Sequence, residues 1–372
     1  MKTSQSPKVL VVSNLYPSSN EQDYQVRSFA IKALIDAAID EGLHVIGIVR
    51  LPSILRMRTI RTRCIDEGKV KVLDIPRFGV RNYICGWVTK RLSGQKLKSL
   101  APDIVVCHMA TNFYFAKKIF GNSPKYVYVL HQSDFRSKLL AYAVAESDNI
   151  LVRSQSLKTR LLDEFPGVKV SGVVGSGVDM DTSNTKTLDF INSNVLNLVF
   201  AGRLIELKNV EAILGALATL KRKGHDFLFR ILGDGPLKSV LRERAGSLGI
   251  SKNVVFYGHV NKAEVISAMT NSHLFVMPSA PETFGLAYLE AMSQGCVVIG
   301  HKGWGVDGLV EDGVQGFMVD KPSEEQILTC LFRYVNLAKE SRLRMHEMAY
   351  DLAGKNDQAS AGINYKRLVE KA

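Results

Sequence analysis

Cysteine is sparse and unpatterned in this 372-residue sequence. Cys64, Cys85, Cys107, Cys296 and Cys330 are odd in number, widely scattered and never in a C-x-x-C pair, which argues against a disulfide framework or a zinc site and suits a reducing cytoplasm. No apolar run approaches the roughly 20 residues needed to cross a bilayer. The opening stretch Met1 to Pro7 is polar, not a basic stub followed by a greasy segment. A soluble, uncleaved, cytoplasmic chain is therefore expected. Internal repeats and low-complexity tracts are also missing. What is present is a globular composition, 46% hydrophobic and 23% charged, which excludes disorder and suffices for one large core or two ordinary ones.

Charge is unevenly spread. Residues 1–180 hold 26 Lys+Arg and 15 Asp+Glu, and the remainder holds 22 and 21. Between Arg50 and Lys98 there are 13 basic and 3 acidic residues, with Arg56, Arg58, Arg61 and Arg63 interleaved among Leu51, Ile54, Leu55, Met57 and Ile60. Such a segment suits an anionic membrane surface, and it equally suits the solvated face of a basic protein. No recognisable nucleic-acid module accompanies it, so nucleic acid is not expected as a partner.

Short β-branched runs alternate with longer amphipathic stretches from end to end, the signature of an α/β chain. The spacing predicts strands at Val9–Ser13, His44–Val49, Val70–Ile75, Ile104–His108, Tyr126–His131, Asn149–Val152 and Lys169–Val174. After a Gly/Ser/Asn/Thr/Asp-rich stretch between Gly172 and Asn197, a second series follows at Leu198–Ala201, Phe227–Leu232, Val254–Tyr257, Leu274–Met277, Cys296–Ile299 and Gly316–Val319. These runs are apolar on both faces, as parallel strands covered by helices must be. Two parallel-sheet domains joined near residue 180 are expected, with ligands at the carboxyl ends of the strands and a cleft between the sheets.

The chemistry is concentrated in the second half. Strand Leu198–Ala201 runs into Gly202 and Arg203, with Lys208 and Asn209 close behind. A turn glycine, exposed N–H groups and two cations make a diphosphate site, although an Arg and a Lys at a helix start are also ordinary surface residues. Strand Phe227–Leu232 ends in the tight turn Gly233-Asp-Gly-Pro236. The stretch from Met277 to Gly295 predicts a helix entered through Pro278 and Pro281, capped by Thr283 and terminated by Gly295 in the left-handed conformation. Glu290 lies between Leu289 and Ala291 within it, where an unpaired carboxylate is costly. The hydroxyls of a sugar would satisfy it, as would an Arg or Lys of a neighbouring element. Glu282 stands just before the helix, so the two carboxylates could bracket a ligand whose phosphates rest on the helix start.

The Glu282-x7-Glu290 spacing, the FGLAYLEAMSQGCVVIG run, FAGRLIELKN, the LGDGPL turn and the FYGHV strand together resemble the family-4 retaining glycosyltransferases of GT-B fold. The resemblance covers residues 8–370 and is strongest from Val199 to Val319. It implies two Rossmann-like domains facing a cleft: an acceptor-binding domain over 1–180, a nucleotide-sugar-binding domain over 181–355, and a terminal helix over 356–372 that crosses back to the first. On the donor side it implies that Gly202, Arg203, Lys208 and Gly233 surround the diphosphate and that Glu290 holds the ribose. Glu282 then holds the transferred sugar, Thr283, Phe284, Gly285 and Leu286 line the sugar and phosphate, and the segment at His259 and Val260 cradles the base. His131-Gln-Ser-Asp134 resembles the family's His-Gly-(Ser/Thr)-Asp, whose His contacts the donor sugar near the reacting carbon, with Gln132 in place of the glycine. The loop Asn14–Asp23, with Tyr16, resembles the acceptor-side loop without its usual glycine pair, and Asp134 is placed on that side too.

Two further patterns are misleading. Asp179-Met-Asp181 has D-x-D metal spacing but falls in the linker, where the family has Asn-Gly-Val-Asp. Gly303-Trp-Gly305-Val-Asp-Gly308 spells a dinucleotide fingerprint, yet Glu311-Asp312-Gly313 breaks any following helix. The resemblance thus implies transfer of a sugar, with retention, from a nucleotide-diphosphate sugar, preferably a UDP-sugar, to a saccharide or lipid-linked acceptor, without metal or cofactor. A sugar-nucleotide epimerase or hydrolase on the same scaffold, or a non-catalytic sugar-nucleotide-binding protein, are the alternatives.

Overall fold

Runs without a polar face become strands covered on both sides, and they do so throughout the computed structural model, which describes residues 6–17, 28–51, 63–66, 68–75, 95, 97–180, 193 and 195–372. The chain divides into two units. The first comprises Met1–Arg153, Leu157–Gly177 and Gln358–Ala372, and the second comprises Val178–Asp357 with Ser154–Ser156.

In the first unit the strands are β1 (Val9–Val12), β2 (Val45–Arg50), β3 (Arg63–Asp66), β4 (Lys71–Asp74), β5 (Ile104–His108), β6 (Lys125–Leu130), β7 (Asn149–Val152) and β8 (Gly172–Val173). They form one sheet in the order β3-β4-β2-β1-β5-β6-β7-β8. Side chains alternate across it. Val9 and Val11 join Ile31, Leu34 and Ile35 of the helix Phe29–Asp40 and Tyr365, Leu368 and Val369 of the helix Gln358–Val369. Leu10 and Val12 join Phe113, Ala116 and Ile119 of the helix Ala110–Phe120 on the other face. Gly362 lets the two helices of the first layer meet at backbone distance: a Cβ there would lie 2.6 Å from the carbonyl carbon of Ala37.

The sequence predicts a wholly parallel sheet, and the structure departs from it in one strand, since β3 runs antiparallel to β4. β8 is only two residues long. Arg50, counted above with the basic segment, is 1% exposed. Its Nε and Nη2 donate to Asp74 Oδ1 and Oδ2 at 2.5 Å, and Nη1 donates to the Tyr16 carbonyl at 3.4 Å. It therefore presents no charge to a surface. Most of the rest of that segment, including Arg56, Arg58 and Arg61, lies outside the described residues, as does Asp23. No helix among the described residues is long and apolar enough to cross a membrane.

The second unit contains β9 (Leu196–Ala201), β10 (Phe227–Leu232), β11 (Val254–Gly258), β12 (Leu274–Val276), β13 (Val297–His301) and β14 (Gly316–Val319). All pairings are parallel, in the order β11-β10-β9-β12-β13-β14. The crossover helix Val210–Arg222 shows how the sequence covers this sheet. Ile213, Leu214, Leu217 and Leu220 recur on one stripe and are fully buried, each contributing about 1.5–3 kcal/mol. Glu211 in its first turn and Lys221 and Arg222 in its last oppose the helix dipole.

Candidate active site

In the second unit the chain steps outward from β9 to β10 and β11, then returns to start again at β12. The loops leaving the carboxyl ends of β9 and β12 therefore diverge, which is where open α/β sheets bind ligands. Those loops are Gly202 to Asn209 and Met277 to Gly285, and they are stitched together. The Ala280 N–H donates to the Leu207 carbonyl at 3.1 Å, and Asn209 Nδ2 donates to the Pro278 carbonyl at 2.8 Å.

Lys208 and Glu282 meet at this point. Lys208 Nζ donates to Glu282 Oε2 at 2.7 Å, with the two side chains 18% and 19% exposed. The other carboxylate oxygen accepts the Thr283 N–H at 3.1 Å, Ser279 Oγ stands 3.4 Å from Oε2, and the Gly305 N–H holds the Glu282 carbonyl at 3.1 Å. Arg203 is exposed and makes no side-chain hydrogen bond or ion pair among the described residues. Lys208, expected to face a diphosphate, is thus held by the carboxylate expected to face the sugar.

Glycines bring the neighbouring strand ends to backbone contact. The Gly202 N–H donates to the Leu232 carbonyl at 2.9 Å and the Gly233 N–H to the Gly258 carbonyl at 2.7 Å. A Cβ on Gly233 would lie 1.9 Å from the Gly202 oxygen, with φ at +137°, so no side chain fits. Beyond them, Lys238 Nζ donates to Asp234 Oδ2 at 2.6 Å. This bond, helped by the Gly235 N–H and by His259 nearby, holds the Asp234 carboxyl below its usual range. His259 is exposed, and Val260 packs against the core.

The helix Leu286–Met292 starts differently from the expectation. Gly285, at φ +73°, occupies the N-cap with no side-chain bond, two positions after Thr283, whose backbone N–H donates to Glu282 Oε1. Phe284 is buried, and Leu286 is partly buried against the core. Tyr288 donates its hydroxyl to the Met277 carbonyl, tying the helix back to β12. At the other end Gly295 is left-handed, with Gly295 and Cys296 N–H groups closing onto Met292 and Ala291, the termination the sequence predicts.

Glu290 is 20% exposed and faces Lys262 Nζ at 4.0 Å. Burial raises its carboxyl, and Lys262 only partly opposes this. Lys262 itself reaches Asp179 at 3.2 Å, so Asp179 is taken up by an ion pair, while Asp181 lies outside the described residues. Among the described residues no group of three or more His, Cys, Asp or Glu could hold a metal. The Gly303 to Gly308 fingerprint opens no helix. Its glycines all have positive φ, and the Gly303 N–H is bound by Asp307.

The first unit reverses its strand order between β1 and β5. His131 follows β6 and is 8% exposed. Its neighbour Asp134 accepts the His131 N–H at 2.9 Å, the Ala110 N–H at 3.1 Å and the Tyr128 hydroxyl at 2.9 Å. Burial nevertheless raises the Asp134 carboxyl. Being 1% exposed and fully bonded, Asp134 shapes the turn and presents nothing to an acceptor. Tyr16 is likewise buried, donating to Asp36 Oδ1 at 2.9 Å, and Asn14 Oδ1 accepts the Leu51 N–H at 2.5 Å. Both hold the loop after β1 in place. The sequence reading missed His108, Arg153 and Tyr365. His131 Nε2 lies 3.1 Å from His108 Nδ1, and His108 Nε2 lies 2.9 Å from the Tyr365 hydroxyl. The apolar run ending in His108 at a strand end was the one available signal.

Residues 188–352 match the family model for glycosyl transferases group 1. Alpha-D-kanosaminyltransferase from Streptomyces kanamyceticus is 32% identical over 166 residues, 44% of this chain and 43% of that protein. The chain therefore spans less than half the length of that curated relative. Among solved structures, the apo form of the lipopolysaccharide outer core galactosyltransferase WaaB superposes with a TM-score of 0.74 at 17% identity, covering 97% of this chain and 99% of that one. HepE from Anabaena in complex with UDP gives 0.74 at 17% identity over 98% and 100%. These likenesses establish a shared fold.

Proposed function

The second unit is a glycosyl transferases group 1 domain, and from that premise we propose that the protein moves a sugar, with retention, from a nucleotide-diphosphate sugar to a hydroxyl of a saccharide or lipid-linked acceptor. A UDP-sugar is preferred to a GDP-sugar. The observation that carries this is the Lys208–Glu282 pair at the point where the strand order reverses.

Breaking a glycosidic bond to a diphosphate puts negative charge on the leaving group, and the most effective catalysis places fixed positive charge there in advance. Lys208 is a half-buried ammonium with its position set by Glu282, and Arg203 is an exposed guanidinium at the same loop. An arriving diphosphate competes with Glu282 for Lys208. The carboxylate so released accepts hydrogen bonds from the sugar hydroxyls, so one pair reads both ends of the donor. Gly202 and Gly233 keep side chains out of the phosphate path. Glu290, 20% exposed, is in reach of a ribose.

The acceptor as a lipid-linked saccharide, a peripheral position on the cytoplasmic face of a membrane, and independence from metal belong to the same reading. What supports the last is the cationic pair itself, which supplies the charge a metal would supply. Arg203→Ala and Lys208→Ala should each lower turnover by on the order of 100-fold with unchanged circular dichroism, and activity should survive a chelator. Unaltered rates in either variant overturn the diphosphate assignment, and activity restored to chelated enzyme by magnesium or manganese overturns metal independence.

A further inference from the structure

We infer that Tyr365, from the helix Gln358–Val369, is a positioning residue that sets through His108 which ring nitrogen of His131 carries the hydrogen. Its consequence for turnover rests on the glycosyl-transfer reading above. The consequence for the ring does not.

The three groups form an unbroken line inside the first unit: Tyr365 hydroxyl, His108 Nε2 at 2.9 Å, then His108 Nδ1 to His131 Nε2 at 3.1 Å. Tyr365 and His108 are 0% exposed. Burial, with Arg153 adding repulsion, lowers His108 to about 3 and holds His131 well below its ordinary value, so both rings are neutral near pH 7. Two neutral imidazoles facing each other through one nitrogen apiece share a single hydrogen, and its owner is decided by whatever bonds the far side of the pair.

Tyr365 decides it. Among the described residues its hydroxyl has no hydrogen-bond partner besides His108. Were it to accept from His108, its own O–H would be buried without an acceptor, at about 1–3 kcal/mol. Arg153 points the same way. That buried guanidinium donates to the Val174 carbonyl at 2.7 Å and Ser176 Oγ at 2.6 Å. Burial raises the Tyr365 phenol, which keeps its hydrogen, and the Arg153 charge opposing that shift turns the oxygen's lone pairs rather than its hydrogen towards itself. The hydroxyl therefore donates to His108 Nε2, and His108 donates from Nδ1 to His131 Nε2. His131 is left with its hydrogen on Nδ1, a fixed donor for a substrate oxygen. The Asp134 carboxylate, bound to the His131 N–H, holds the backbone beneath it.

The test is nitrogen-15 NMR of the full chain labelled at histidine, together with steady-state kinetics of Tyr365→Phe. In the unaltered protein His131 should show a protonated Nδ1 and a bare Nε2. In Tyr365→Phe, which removes one oxygen, both tautomers should be seen, with kcat down about tenfold and KM within about twofold. Should Tyr365→Phe misfold, His108→Gln is read in the same way. A His131 ring with the opposite tautomer, or one unmoved by either variant, overturns the inference. Failure of the unaltered protein to transfer sugar from any nucleotide sugar instead overturns the functional reading and leaves the tautomer result standing.

Discussion

The two units share the order of six parallel strands, β4-β2-β1-β5-β6-β7 in the first and β11-β10-β9-β12-β13-β14 in the second, yet treat their polar residues in opposite ways. The first buries them and satisfies them internally: Arg50 with Asp74, Asp134 with three donors, Arg153 with a carbonyl and a hydroxyl, and His108 between His131 and Tyr365. The second buries mainly neutral groups and keeps Lys208, Glu282, Glu290 and Arg203 at the strand ends, partly or fully in reach of solvent. A closed network makes shape and an open one makes contacts. The first unit is built to hold a few groups still, whereas the second keeps an ion pair partly open to solvent.

Asp74→Ala strains that contrast most. It leaves the Arg50 guanidinium buried and unpaired, and the first unit should lose about 3–5 kcal/mol. Lys208→Ala in the second should lose under about 1 kcal/mol, as a partly solvated pair does. In a Trp87→Phe background Trp304 is the remaining tryptophan and reports the second unit during urea unfolding, while circular dichroism follows both. A Trp304 transition displaced as far as the first unit's would show that the network is not local.

Acid should separate the units next. His108 is lowered to about 3 and His131 is lowered as well, whereas the second unit holds His346 lowered to about 4. Between those values and 6.5 the unfolded chain binds more protons than the folded one, so this stability is complete above pH 6.5 and is lost as pH falls. Each imidazole contributes a slope of up to about 1.4 kcal/mol per pH unit, so as pH falls below 6.5 the first unit, through His108 and His131, should weaken more steeply than the second does through His346. Asp134 in the first unit and Glu290 in the second, whose carboxyls burial raises, each offset part of this loss in their own unit. Equal slopes from the urea midpoints would refute the assignment.

The smallest effect concerns the basic surplus of residues 1–180. If the segment around Arg56 docks on a membrane, the protein should bind vesicles containing phosphatidylserine, lose them as salt rises, and lose about 1 kcal/mol, roughly fivefold, with Arg56→Ala. Binding indifferent to salt and lipid charge ends that proposal.

Much of the fold was legible because strands buried on both faces leave a continuous apolar record. Ile104–His108, Asn149–Val152, Phe227–Leu232 and Gly316–Val319 begin and end where the spacing places them. β3 was not legible, since an edge strand with Cys64 and Asp66 exposed keeps no such record. Of the site, Lys208 and Glu282 could be nominated, because each stands at a strand-to-helix turn with a recognisable neighbourhood. Their pairing across 74 positions could not. Thr283 looked like a cap on local grounds, but the helix begins at Leu286, with the left-handed Gly285 at its N-cap. The 257-residue step from His108 to Tyr365 has no local correlate at all.

That step has a bearing on how the molecule is made. Helix Gln358–Val369 finishes the inner layer of the first unit, yet a ribosome must first synthesise all of Val178–Asp357, which at about 5–20 residues per second takes roughly 10 to 35 seconds. Throughout that interval the face of β1 that will receive Tyr365, Leu368 and Val369 is uncovered, while the second unit is already free to fold. The half of the protein that emerges first is therefore the half that matures last, and the nascent chain offers chaperones a greasy, temporarily vacant seat.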